Sequence, residues 1–279
     1  MQLIKIIKDK EYQYLFSVDG NKYGTPYDST TCYGFADEKL VADDWEEVLA
    51  INGSLFYYFA DNEGKQECFA CGLEKSRGII NQETSMSCVT TYDDCMAVAC
   101  MKDTGELMFG RQKWIRENLL EDESCYGAIT GIGIMLGGKV RTDLHKGFES
   151  QWSVKAKRNL IGEDIDGNIL SLVTEDEVTC TELCNLAVQQ GFYNALCLDG
   201  GGSIFRRYCG EYTDMTKRKV KNCLLLYRKK IETVDWEKKY RELEERYNTL
   251  KEETVNYLNL CKEGTDASIT EFVKHIEEI

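Results

Sequence analysis

Apolar residues over most of the chain alternate with polar ones or cluster in short runs bounded by turn residues, the pattern of short strands. Tyr12, Tyr14 and Phe16 alternate ahead of the turn signal Asp19-Gly20-Asn21, and residues 55–59 read as a buried strand. Helical patterning in this stretch is confined to residues 43–49. Residues 96–101 and 107–109 flank the turn Asp103-Thr-Gly105, and residues 126–140 form a glycine-punctuated hairpin in which Ile132-Gly-Ile-Met-Leu136 enters Gly137-Gly138. Leu160-Ile161 and residues 169–173 are strands around Asp166-Gly167-Asn168. Thr179 then opens a helix, because Glu182 three residues on completes a capping box, and Gly191 is a natural residue to follow its end. The apolar strand Ala195-Leu-Cys-Leu198 leads into Asp199-Gly-Gly-Gly-Ser203, and residues 204–208 and 220–227 complete the sheet.

Beyond residue 230 the period changes. Trp236, Tyr240, Leu243, Tyr247, Leu250, Thr254, Tyr257 and Cys261 recur at alternating steps of four and three, a heptad seam with charges elsewhere. It suits a short coiled coil that would make a homo-oligomer through residues 236–261, or an amphipathic helix folded back on its own domain. Gly264 ends it, and Ser268 and Glu271 cap a last short helix. The pattern therefore predicts an α+β fold: a mixed, β-rich sheet domain with few helices over residues 1–230, then a helical tail over 231–279.

The 279 residues suffice for one well-buried domain with an appendage. A formal charge of −14 repels phosphate backbones and anionic membrane surfaces, which argues against nucleic-acid coating and leaves room only for a local basic patch. No stretch has the length and apolarity of a membrane span, and Lys5 and Lys8 break the opening residues before a signal-peptide core can form. A soluble, cytoplasmic protein without an export signal is expected. The 13 cysteines are odd in number and scattered, so they read as mostly reduced thiols. Cys68-Phe-Ala-Cys71 lacks the second pair or the spaced histidines that a structural zinc site needs, and Cys180 and Cys184 share a helix face suited to core packing. Neither a metal nor a cofactor is implied. With only two histidines, His145 and His275, and no nucleophile elbow, catalysis falls to carboxylates and basic side chains.

Two glycine-rich segments compete for that chemistry. Gly131-Ile-Gly133-Ile-Met-Leu-Gly137 misses the dinucleotide fingerprint in spacing and lacks the following helix, and no nucleoside-triphosphate loop motif exists. Asp199-Gly200-Gly201-Gly202-Ser203 differs, because three successive glycines after an apolar strand are costly in backbone entropy and supply no packing. Their bare backbone suits an anion, with an acceptor and a hydroxyl beside it.

Leu198-Asp-Gly-Gly-Gly-Ser203 resembles the signature of the phosphodiester glycosidase family. Three further segments agree in order: Ile51-Asn52-Gly53-Ser-Leu-Phe56, the hairpin from Thr130 to Lys139, and Arg158-Asn-Leu-Ile-Gly162-Glu-Asp164. Arg218-Lys-Val220 fits the closing strand. The likeness covers roughly residues 52–227, departing at Asn159, where the family usually has Thr, and in the short loop 175–178. It implies a hydrolase cleaving the glycosidic bond of a sugar-1-phosphodiester. Such cleavage passes through an oxocarbenium-like state, which a carboxylate stabilises or supplies with activated water, while the phosphate leaves readily if a cation holds it. The resemblance assigns the carboxylate to Asp199, with Asp164 or Glu163 as partner. Arg158 would clamp the phosphate bidentately, Gly200, Gly201 and Gly202 would present backbone amides, and Asn52, Ser203 and Arg218 would orient sugar or phosphate. The alternative is a non-catalytic module of the same fold that sequesters a phosphate-containing ligand or serves in a phage or virion-type assembly.

Overall fold

The computed structural model describes residues 1–20, 27–28, 45–60, 66–82, 94–144, 148–214, 219–231 and 236–262. The chain divides into two compact units, Met1–Lys230 and Ile231–Ile279. The first holds two large antiparallel sheets. Along the main path of a ten-stranded sheet, Gln2–Ile6, Ile169–Val173, Asn159–Glu163, Asn194–Leu198, Cys125–Leu136, Glu74–Ser76 and Ile79–Gln82 are successive neighbours. The five-stranded sheet runs Glu211–Asp214, Arg206–Tyr208, Glu46–Asn52, Asn222–Lys230, Tyr12–Gly20. Their facing sides share one core, in which Phe16, Leu49, Ile51, Leu224 and Leu226 of the smaller sheet meet Met96, Val98, Ile129, Ile161 and Leu198 of the larger.

Two expectations change. Of the stretch expected to be helical, residues 43–44 lie outside the described residues and the rest is not helical: Glu46–Asn52 is a central strand, paired on one side with Asn222–Lys230 and on the other with Arg206–Tyr208. Val48, Leu49, Ala50 and Ile51 are all buried, and a short apolar run covered on both faces has no period by which to distinguish strand from helix. Among the described strands the sheet is also antiparallel rather than mixed. Ile169–Val173 and Asn194–Leu198, joined through the helix Cys180–Gln189, point the same way, but Asn159–Glu163 lies between them and pairs antiparallel with both. A crossover that skips one position leaves no parallel neighbours.

Locally encoded features appear as the residues dictate. Thr179 N–H donates to Glu182 Oε2 at 2.7 Å and Glu182 N–H returns to Thr179 Oγ1 at 3.2 Å, closing the capping box. That helix packs Cys180, Leu183, Cys184 and Ala187 onto the larger sheet's outer face, against Leu160, Leu172, Ala195 and Cys197. In Cys125–Leu136, Gly131 and Gly133 are spacers: a Cβ would meet Cys197 O at 2.5 Å and the Leu144 Cβ at 2.5 Å. Cys100, Cys125, Cys180, Cys184, Cys197 and Cys209 are free thiols.

In the second unit, Trp236–Lys262 is helical, and Tyr240, Leu243 and Tyr247 of the heptad seam are exposed. The helix expected after Gly264 lies outside the described residues. No described helix is long and apolar enough to cross a membrane.

Candidate active site

The glycine turn sits where the ends of the two sheets meet. The strand Asn194–Leu198 ends against Asn159 of its neighbour, so Asp199 emerges beside Arg158. From the smaller sheet, Asn52 closes the strand Glu46–Asn52, its Nδ2 donating to the Asp199 carbonyl at 2.7 Å, and Asp199 N–H donates to Gly53 O at 3.0 Å. Gly53 is needed for this approach, because a Cβ there would stand 2.0 Å from Asn222 Oδ1.

Each glycine of the turn has its own reason. A Cβ on Gly200 would lie 2.4 Å from the Lys157 carbonyl, and Gly201 has φ +57, which disfavours any side chain. Gly202 has nothing within 4 Å of its Cβ position and faces open space. The expected cradle of amides is corrected here: Gly200 N–H bonds Asp199 Oδ1 at 3.0 Å and Gly201 N–H bonds Lys157 O at 2.8 Å. The Gly200 and Gly201 amides are spent on shaping the turn, which is the cost of folding it tightly against residue 157.

A cavity of about 410 Å³ opens over this turn. Arg158, Asp199, Gly200, Gly201 and Gly202 line it, together with Leu55, Phe56, Cys71, Phe148, Ser150, Gln151, Ala156 and Leu198. Arg158 is 3 % exposed, and its guanidinium is largely committed. Nε donates to Val178 O at 3.2 Å, while Nη2 donates to Gln151 O at 2.9 Å and Val154 O at 2.5 Å. These bonds fasten the segment around the short helix Glu149–Trp152 along the cavity rim. They also correct the bidentate clamp, since both edges of the fork include Nη2; Nη1 is the nitrogen left for a ligand. No carboxylate among the described residues pairs with this cation. Behind the wall, burial raises the pKa of the Cys180 and Cys197 thiols against a smaller opposing pull from Arg158, so neither is a ready thiolate.

The remaining predicted residues lie elsewhere. Asn52 and Ser203 are fully buried beneath the turn rather than in the cavity wall. Arg218 lies outside the described residues. Glu163 and Asp164 are not brought to Asp199: register pairs Glu163 with Asn194, at the other end of the strands from Asn159 and Leu198, about 13 Å away for four residues. There Asp164 binds Lys5 Nζ at 2.7 Å and accepts from the backbone of Asp166 and Asn168, closing the turn to Ile169. Burial alone would raise its pKa, but the bonds from Lys5 and Asn168 outweigh this and hold it at about 2. Glu163 accepts from Asn194 Nδ2 at 2.7 Å, and burial pushes its pKa upward. The wall residues that sequence reasoning missed are Gln151, Ser150 and the two phenylalanines. Phe56 stood inside a quoted motif, but Gln151 and Ser150 sit on a four-residue helix with no periodic signal.

The comparisons agree with this architecture. The family model for phosphodiester glycosidases matches residues 46–227. Among solved structures, the chain is similar to the auto-inhibited catalytic domain of zebrafish N-acetylglucosamine-1-phosphodiester alpha-N-acetylglucosaminidase, at a TM-score of 0.54 and 15% identity over 80% of this chain and 81% of that one. A hypothetical protein from Synechocystis is similar at a TM-score of 0.50 and 14% identity, over 81% of this chain and 59% of that one. At such identities the structural likeness shows the fold, and no curated protein sequence matches. The matched stretch begins with the strand that clamps Asp199 and takes in the whole glycine turn and its cavity: the chain belongs to the phosphodiester glycosidase family.

Proposed function

We propose that the protein hydrolyses the glycosidic bond of a sugar-1-phosphodiester, with Asp199 as the carboxylate and Arg158 as the cation that receives the phosphate. The observation that carries this reading is one cavity, in a member of this family, walled by a carboxylate, a buried arginine and a side-chain-free turn. A buried guanidinium without a carboxylate partner is a preorganised positive charge in a site of low dielectric, so its pull on a departing phosphate is stronger than in water. The phosphate is already a good leaving group, which relieves the site of a strong general acid. Asp199 is the single carboxylate among the described wall residues, and it faces charge of the opposite sign as the anomeric carbon becomes cationic. Gly202 leaves room for the sugar or phosphate to approach the turn, and Gln151 and Ser150 offer polar groups to sugar hydroxyls.

Purified protein incubated with a panel of glycosyl phosphodiesters and nucleotide sugars, read by mass spectrometry, tests the proposal. Free sugar and a phosphomonoester or nucleotide are the expected products. A panel returned intact, with binding detected by calorimetry, replaces the hydrolase with a sequestering module.

A further inference from the structure

Resting on the assignment of Asp199 above, we infer that Asn52 is a positioning residue, holding the Asp199 backbone so that its carboxylate is aimed into the cavity. Both main-chain polar groups of Asp199 are bonded to consecutive residues at and just past the end of a strand of the other sheet. The carbonyl accepts from Asn52 Nδ2 at 2.7 Å, and the N–H donates to Gly53 O at 3.0 Å. Such a two-point grip fixes a residue's direction as well as its place.

Asn52 is itself held on the opposite side. Its Oδ1 accepts from Asn159 Nδ2 at 3.0 Å and from Phe205 N–H at 3.0 Å, while its own N–H donates to Phe205 O at 3.2 Å. Asn159 precedes the turn across the strand pair and Phe205 follows it in the chain, so one amide ties together both flanks of the turn and its first residue. The grip of Gly53 is buttressed too: Asn222 accepts Gly53 N–H on its carbonyl at 2.9 Å and Ser54 N–H on its Oδ1 at 2.8 Å. Asn52 is 0 % exposed and absent from the cavity wall, so it acts through Asp199 and not on a ligand. A side chain with both an acceptor and a donor on one planar group is required, which explains why an amide stands here.

Asn52→Asp keeps the shape and the acceptor but replaces the donor facing the Asp199 carbonyl with an oxygen. With the glycosyl phosphodiester or nucleotide sugar that wild type turns over fastest, kcat is expected to fall on the order of 10²-fold while KM stays within about two-fold, the signature of misplacing a reacting group rather than losing binding. Amide hydrogen exchange at Asp199 and Gly201 is expected to quicken about tenfold or more, with exchange in the strand Ile169–Val173 unchanged. Unaltered kcat, or exchange that quickens equally in both regions, overturns the inference, because a merely structural asparagine loosens the whole fold. If wild type turns over no member of the panel, the functional proposal fails on its own account and the exchange comparison alone decides the role of Asn52. Should Asn52→Asp not fold, Asn159→Ala carries the same test by removing one support of the amide: faster exchange at Asp199 and Gly201 alone is expected, and wild-type exchange there overturns the inference.

Discussion

The two ends of one strand pair, Asn159–Glu163 with Asn194–Leu198, use carboxylates in opposite ways. At the Glu163 end, Asp164 is surrounded by donors from Lys5 and Asn168 that hold its charge in place and close a turn. At the other end, Asp199 starts a turn of three glycines under an open cavity whose wall it shares with the buried Arg158. Asp164 is committed to its own turn, whereas Asp199 lines a cavity. Carboxylates assigned to one site from two separate motifs thus lie a strand's length apart, and register decides which of them reaches the cavity.

Substitutions on either side sharpen this contrast. The largest effect is expected from Arg158→Met, which removes the cavity's cation and leaves the carbonyls of Gln151, Val154 and Val178 without their donor. Denaturant unfolding should show a loss of about 3 kcal/mol, and kcat/KM should fall on the order of 10³-fold. Within the turn the glycines should separate cleanly. Gly200→Ala drives a Cβ to within 2.4 Å of the Lys157 carbonyl and should cost about 2 kcal/mol. Gly202→Ala meets nothing and should leave stability within about 0.5 kcal/mol of wild type. If the bare face of residue 202 admits substrate, that same variant loses about tenfold in kcat/KM, a loss of binding space without a loss of stability.

A smaller effect is expected at the far end, and it depends on pH. The Asp164 carboxyl is held at about 2, below its ordinary 3.8, so its stabilisation is complete above the ordinary value and is lost as pH falls through the folded one. Asp164→Asn should therefore destabilise by about 1 kcal/mol at neutral pH, discounted for the half-exposed Lys5 partner, and the difference from wild type should close toward pH 2 in thermal melts.

What could be read from the sequence was what neighbours in sequence decide. The Thr179–Glu182 capping box, the Gly137-Gly138 hairpin and the strand before Asp199 each depend on a few consecutive residues, and each is present. The glycine run reads as a bare-backbone anion site until the Gly200 and Gly201 amides are seen bonded to Asp199 Oδ1 and Lys157 O. The rest depends on partners far apart in the chain. Asn52 reads as a candidate ligand until strand Glu46–Asn52 is seen to end beneath Asp199, 147 residues away. Arg158 reads as an unencumbered fork until the carbonyls of residues 151, 154 and 178 fold around it. Gln151 belongs to no motif at all and enters the wall only because Arg158 pins its backbone there.

The division between the two ends is tested most directly by measuring turnover of Asp199→Asn beside Asp164→Asn on the same glycosyl phosphodiester. Asp199→Asn should lose on the order of 10³-fold in kcat with its melting temperature intact, whereas Asp164→Asn should keep wild-type kcat within about two-fold. Normal turnover by Asp199→Asn, or a comparable loss in Asp164→Asn at full folding, contradicts the account.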